Sequence, residues 1–166
     1  YAVYEPAMHV DAVHRLKRTT ELRKALDRGE IGVMYQPIVD LRNGNIVGLE
    51  ALARWHHPER GLLPPVEFIG LAEETGLIQS LGRRVLEVAL TEMAAWHRRY
   101  PPHRHTRIAV NMSGRQLGDP GIVDDLRELL TGSGIDPAAV ILEITENVLT
   151  PGDGLAAERM QGMADG

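Results

Sequence analysis

Three polar residues interrupt runs that otherwise read as apolar strands. Glu50 follows Ile46-Val47-Gly48-Leu49, Asn111 follows Ile108-Ala109-Val110, and Glu143 follows Val140-Ile141-Leu142. Each lies toward the C-terminal end of its run. Strand side chains alternate between faces, so Glu50 shares a side with Leu52 and Arg54, Asn111 with Ala109 and Ser113, and Glu143 with Ile141 and Thr145. Two carboxylates and an amide oxygen make a hard, oxygen-rich donor set suited to Mg2+ or Mn2+. Polar oxygens in an apolar wall are costly unless a cation or a hydrogen-bond donor compensates them. A single carboxylate reads as a structural ion pair; three polar residues at equivalent strand positions favour a metal site.

Two neighbours could extend such a site. Arg54, four residues past Glu50, could clamp a phosphate through its planar fork or form a salt bridge to Glu50, and spacing leaves both open. Gln36 precedes Pro37 at a strand end, which suits an amide facing a ligand. The histidines read as surface residues: His56-His57-Pro58 is turn-like, His103 and His105 lie in a Pro-rich connection, and neither pair has helical metal spacing. Glu73 and Glu74 read as a solvated helix face, and Met160 and Met163 as core. No Gly-rich phosphate loop with a following Lys and no Gly-x-Ser-x-Gly elbow is present, which argues against kinase, P-loop and serine-hydrolase chemistry.

The elements that must position these residues follow from periodicity. Residues 1–8 (YAVYEPAM) alternate briefly and suggest the last strand of an upstream unit. From Asp11 to Leu26 there is no Gly or Pro, and the spacing predicts a solvated connecting helix ending at Gly29. Strands are expected over Ile31–Val39 and Ile46–Leu52. The Asn43-Gly44 turn between them points to an antiparallel pair. Helices are expected from Val66 to Thr75 and from Ile78, where Ile78, Leu81, Val85, Ala89, Met93 and Trp96 form a stripe ended by Pro101-Pro102. A strand at Arg107–Ser113, a helix at Ile122–Leu130, a strand at Val140–Glu146 and a helix at Gly154–Ala164 complete the series. Strands alternating with crossover-length helices favour a parallel sheet covered by helices, whose strand C-termini are where ligands gather. Spacing alone does not choose between barrel and open sheet.

Composition sets outer limits. The 166 residues, 43% hydrophobic and 25% charged, suit an ordinary globular domain. Without cysteine, any metal is held by oxygen or nitrogen. A net charge of -5 argues against a broad basic face for DNA or RNA. No run approaches the ~20 apolar residues of a membrane span, so a cytoplasmic setting is the default expectation, with any membrane anchor placed upstream.

With these residues in place, the chain from about Thr20 onward resembles an EAL domain, named for the tripeptide present here as Glu50-Ala51-Leu52. The likeness covers YQPIVDL (35–41), GLEALARW (48–55), PPVEFIGLAEETGLI (64–78), VNMSGRQL (110–117) and LEITEN (142–147) in family order. Residues 1–16 resemble the C-terminal edge of a GGDEF domain, which divides the chain into a GGDEF tail (1–16), a connecting helix (17–29) and the N-terminal part of an EAL domain (30–166). The resemblance implies a TIM-like (β/α)8 barrel with an antiparallel first strand, present here as an incomplete barrel. It implies hydrolysis of cyclic di-GMP to linear pGpG, with Glu50, Asn111 and Glu143 as ligands of a Mg2+ or Mn2+ centre of two ions in the complete domain. Gln36 and Arg54 would contact the dinucleotide, Glu146 would order a loop near the metals, and the domain would form a homodimer beside an upstream GGDEF domain.

The segment from Glu30 is shorter than the roughly 250 residues of such a barrel. The family's Asp-Asp-Phe-Gly strand and the later strands supplying Lys, Glu and Gln are not in the sequence. The expectation is therefore that this piece alone is inactive, with an open sheet edge that favours association. A catalytically silent cyclic di-GMP receptor and a dimerisation or interaction module stand as the alternatives.

Overall fold

A computed structural model describes residues 6–144. Helix α1, Pro6–Asp27, comes first. Pro6 is its first residue, where a missing N–H costs nothing because first-turn amides have no helical acceptor. The strand expected over residues 1–8 thus gives way to helix from Pro6, while residues 1–5 lie outside the described part. Leu22 and Ala25, near the end of α1, are fully buried, whereas Val13 and Leu16 are exposed. Leu22 and Ala25 anchor the C-terminal half of the helix to the domain, and Arg15 adds an exposed ion pair to Glu74. Gly29, at φ 69°, then reverses the chain, and the Glu30 N–H donates to the Ala25 carbonyl at 2.9 Å.

Strands β1 (Ile31–Val39) and β2 (Ile46–His57) form the expected antiparallel hairpin. Its turn is closed by the Gly44 N–H donating to the Asp40 carbonyl at 2.8 Å, with Gly44 at φ 73°. Strand β2 runs past the expected Leu52 to His57, because Ala53, Trp55 and His57 keep alternating toward the core. Its last residues pair with β3 (Gly61–Leu63), a strand too short to show a period in the sequence. The helix expected over Val66–Thr75 divides into a 3-10 turn at Pro65–Glu67 and α2 (Ile69–Thr75). Between them Phe68 leaves helical geometry, at φ -140°, and its ring is fully buried.

Helix α3 (Ile78–Arg99) follows, and its predicted stripe from Ile78 through Met93 is buried. Strand β4 (Arg107–Met112), a single turn α4 (Gly114–Leu117), α5 (Ile122–Ser133) and β5 (Val140–Ile144) complete the described chain. The expected Gly154–Ala164 helix, with Met160 and Met163, lies outside the described residues, as does Glu146.

The sheet has the order β1-β2-β4-β5, with β3 attached to β2. Strands β2, β4 and β5 are parallel, and β1 is antiparallel to β2. One face is covered by helices, α3 lying against it and α5 against α3. There Trp55, Ile108, Val110 and Met112 are each no more than 2% exposed. The opposite face is open: Met34 is 48% exposed, and Gln36, Asn111 and Glu143 are exposed. No helix among the described residues is long and apolar enough to cross a membrane.

Candidate active site

Strand register brings the five residues singled out in the sequence to the open face. The β1–β2 pairing sets Gln36 opposite Glu50 and Gly32 opposite Arg54. The β2–β4 pairing sets Glu50 beside Ala109, and the β4–β5 pairing sets Asn111 beside Glu143. Paired residues and residues two apart share a face, so Gln36, Glu50, Arg54, Asn111 and Glu143 all project to the same side. Glu50 sits in the first half of β2 rather than at its end. The parallel pairing with β4 stops at Ala51, however, and β2 continues beyond it paired antiparallel with β1 and then β3. Glu50 is therefore at the end of the parallel portion, level with the strand ends that carry Asn111 and Glu143.

The Asn111 Nδ2 donates to Glu50 Oε1 at 2.8 Å, which joins two of the three predicted ligands directly. Glu143, exposed, stands next to Asn111 across the β4–β5 ladder. No Lys, Arg or His among the described residues forms an ion pair with Glu50 or Glu143. Two unneutralised carboxylates flanking an amide suit a divalent cation with oxygen preference. A cation there would take the amide oxygen, which requires the Asn111 amide to turn from its present bond to Glu50. Among the described residues no three His, Cys, Asp or Glu side chains come together, so this rim supplies two carboxylates and one amide but not an all-acid cage.

Arg54 makes no salt bridge to Glu50. Four strand residues separate the two by about 13 Å, and Arg54 Nη1 instead donates to the Ala53 carbonyl at 2.8 Å. Its half-buried guanidinium keeps most of its donors for other partners. Gln36 is exposed on β1, an edge strand in the described sheet, which is where the missing N–H of Pro37 is tolerated.

Two expectations change with the structure. His57 is buried, 6% exposed, while His56, His103 and His105 are exposed. The His57 Nδ1 accepts the N–H groups of Glu59 and Arg60, each at 3.2 Å, and so caps the turn into β3. Glu73 and Glu74 do not share a solvated face. Adjacent helix residues point about 100° apart. Glu74 is exposed and pairs with Arg15 of α1, whereas Glu73 is half-buried and lines a cleft of about 250 Å³ with Leu52, Ile69 and Asn111. The sequence signal for this was present in the flanking Ile69 and Ala72, which mark the inward side of α2.

On the covered face, Tyr35 donates to Glu92 Oε2 at 2.8 Å and meets Trp96 edge-on at 4.7 Å between ring centroids. Burial, reinforced by the hydrogen bond to Glu92 and by its charge, holds the phenol well above its ordinary pKa.

An antiparallel strand leading into parallel strands, helices outside and acid and amide groups inside, defines part of a TIM-like α/β barrel with a polar inner rim. The EAL domain model matches residues 19–165, and the chain belongs to the EAL domain family. It is 46% identical over 146 residues to the uncharacterized protein y4lL of Sinorhizobium fredii, covering 88% of this chain and 17% of that protein. It is 40% identical over 147 residues to the bifunctional diguanylate cyclase/cyclic di-GMP phosphodiesterase MucR of Pseudomonas aeruginosa, covering 89% and 21%. Among solved structures, the PaMucR phosphodiesterase in complex with c-di-GMP superimposes with a TM-score of 0.82 at 37% identity, covering 88% of this chain and 58% of that one. The chain thus spans about a fifth of the length of these curated relatives.

Proposed function

We propose that this chain forms the N-terminal part of a metal-dependent phosphodiesterase that hydrolyses cyclic di-GMP to pGpG within a longer protein. The observation that carries the reading is the Glu50–Asn111 hydrogen bond on the open face, with Glu143 beside it and no cationic side chain neutralising either acid. Glu50, Asn111 and Glu143 would hold Mg2+ or Mn2+. When bound, such an ion lowers the pKa of a water and offsets charge on the phosphoryl oxygens.

The remaining steps belong to side chains. Arg54 orients the diester by donating from its planar fork to a phosphate oxygen. Gln36, opposite Glu50 in register, holds the dinucleotide edge by its amide. The sheet floor of Ala109 and Leu52 keeps the reacting groups fixed between rigid strands. A second ion needs ligands beyond Glu50, Asn111 and Glu143. Residues 1–16 would belong to an upstream GGDEF unit, residues 17–29 to the connecting helix and residues 30–166 to the EAL domain. Glu146 would order a loop near the metal site, the EAL domain would pair as a homodimer, and the protein would act in the cytoplasm.

The test is turnover of cyclic di-GMP by the longer protein with Mn2+ or Mg2+ present. Production of pGpG that stops on chelation of the metal is expected. Binding of cyclic di-GMP with no turnover would instead make the protein a silent receptor.

A further inference from the structure

At the end of the sheet opposite the rim, the chain gathers positive charge. Strands β2, β4 and β5 begin there, at Ile46, Arg107 and Val140. The segment leading from the end of α3 into β4, residues 97–107, reads HRRYPPHRHTR. It holds Arg98, Arg99, Arg104 and Arg107 with His97, His103 and His105, and no acid, in a chain whose net charge is -5. These arginines are exposed. Among the described residues none of them forms an ion pair or a side-chain hydrogen bond, whereas Arg15, Arg18, Arg60, Arg83 and Arg84 each pair with an acid. Asp40 and Asp136, at the same end, are already engaged by Arg42 and by the Ala138 N–H. The charge of the loop is therefore left for something outside the described chain.

Apolar side chains stand among these cations. Leu41, in the turn of the β1–β2 hairpin, is 97% exposed. Tyr100 is 49% exposed, with the Arg99 guanidinium 5.6 Å from its ring centre. Ile46, His103 and Thr106 border both of two hollows here, so the hairpin end and the loop form one continuous surface. The loop itself is tied down. It contains a 3-10 turn at Pro101–His103, the Tyr100 N–H donates to the Trp96 carbonyl at 2.8 Å, and His97 Nε2 donates to the Thr106 carbonyl at 2.9 Å. Its display of charge is thus a property of the fold.

We propose that this end of the domain docks on an anionic lipid bilayer, with Arg98, Arg99 and Arg104 among the headgroups and Leu41 and Tyr100 at the boundary with the acyl chains. Each basic side chain near such a surface adds attraction, and an aromatic ring with a polar tip suits the headgroup level. Binding to a nucleic-acid backbone is carried by cations and has no use for a fully exposed Leu. Docking here leaves the rim free. Asn111 lies four residues beyond Arg107 along β4, about 13 Å away, and α1 packs at the far end, where Glu21 approaches His57 and Arg15 pairs with Glu74.

The experiment measures sedimentation of the longer protein with vesicles of phosphatidylcholine, with and without phosphatidylglycerol. Wild-type protein is expected to prefer the anionic vesicles, and the preference should fall as salt is raised. Arg99→Gln combined with Arg104→Gln removes two charges and should weaken binding to anionic vesicles about thirtyfold. The charge-matched pair Arg23→Gln and Lys24→Gln, on α1, should change it by less than about twofold. Leu41→Ser should weaken it about fivefold without altering charge. Unchanged unfolding midpoints show that the variants keep the fold. Equal binding to neutral and anionic vesicles, equal losses from the two charge pairs, or no vesicle binding overturns the assignment. Tight binding of DNA or polyglutamate in place of vesicles, untouched by Leu41→Ser, also overturns it and gives the surface to a nucleic acid or an acidic protein.

Discussion

The two faces of the β1-β2-β4-β5 sheet come from the same strands and differ sharply in character, one apolar and buried, the other polar and open. On the covered face Ala51, Trp55, Ile108, Val110 and Met112 are buried under α3. On the open face, one residue along each strand, stand Gln36, Glu50, Arg54, Asn111 and Glu143. Burial is thereby concentrated on one side and the proposed site on the other, so a substitution should affect stability or activity with little effect on the other. Trp55 and Arg54, adjacent in sequence, illustrate the division. Trp55 meets Phe68 edge-on at 6.0 Å and donates its Nε1–H to Glu30 at 3.3 Å, whereas Arg54 points to the open side.

The largest effect that would sharpen this contrast is on the covered face. Trp55→Ala is expected to cost about 3–5 kcal/mol of stability, measured by denaturant unfolding of the longer protein. A cost near zero would show that the covered face is not the core. On the open face, Glu50→Gln is expected to shift stability by less than about 0.5 kcal/mol while lowering turnover by at least about a hundredfold. Comparable losses of stability from the two substitutions would break the division.

A smaller effect tests the covered face by pH. The raised pKa of Tyr35 means that its contribution is fully present below the unfolded value of about 10 and is lost as pH rises beyond it. Tyr35→Phe should therefore cost about 1 kcal/mol at pH 8, and the gap between the two proteins should narrow above pH 10. A gap that widens with alkalinity would contradict the burial of this phenol.

Much of this division can be read from sequence, for identifiable reasons. The period of two around Glu50, Asn111 and Glu143 places each on a face, and Asn43-Gly44 fixes the first hairpin. What periodicity does not contain is register: that Asn111 reaches Glu50 and lies beside Glu143 depends on how three strands slide against one another. Local signals also misled where side chains supplied unusual contacts. His56-His57-Pro58 looks like an exposed turn, yet His57 turns inward and caps the backbone beyond it, which lengthens β2. Phe68 breaks an expected helix because its ring is drawn into the core. Glu73 and Glu74 look alike as a pair of acids, yet Glu73 falls on the Ile69 and Ala72 side of α2 while Glu74 points outward to Arg15 of α1.

The most direct measurement is Mn2+ binding to the longer protein, followed by electron paramagnetic resonance, for the wild type and for Glu50→Gln. Wild-type protein should hold the ion tightly, and the substitution should weaken that binding at least about tenfold with the fold unchanged. Equal Mn2+ affinity in the two proteins would show that the Glu50–Asn111–Glu143 rim is not where the cation sits.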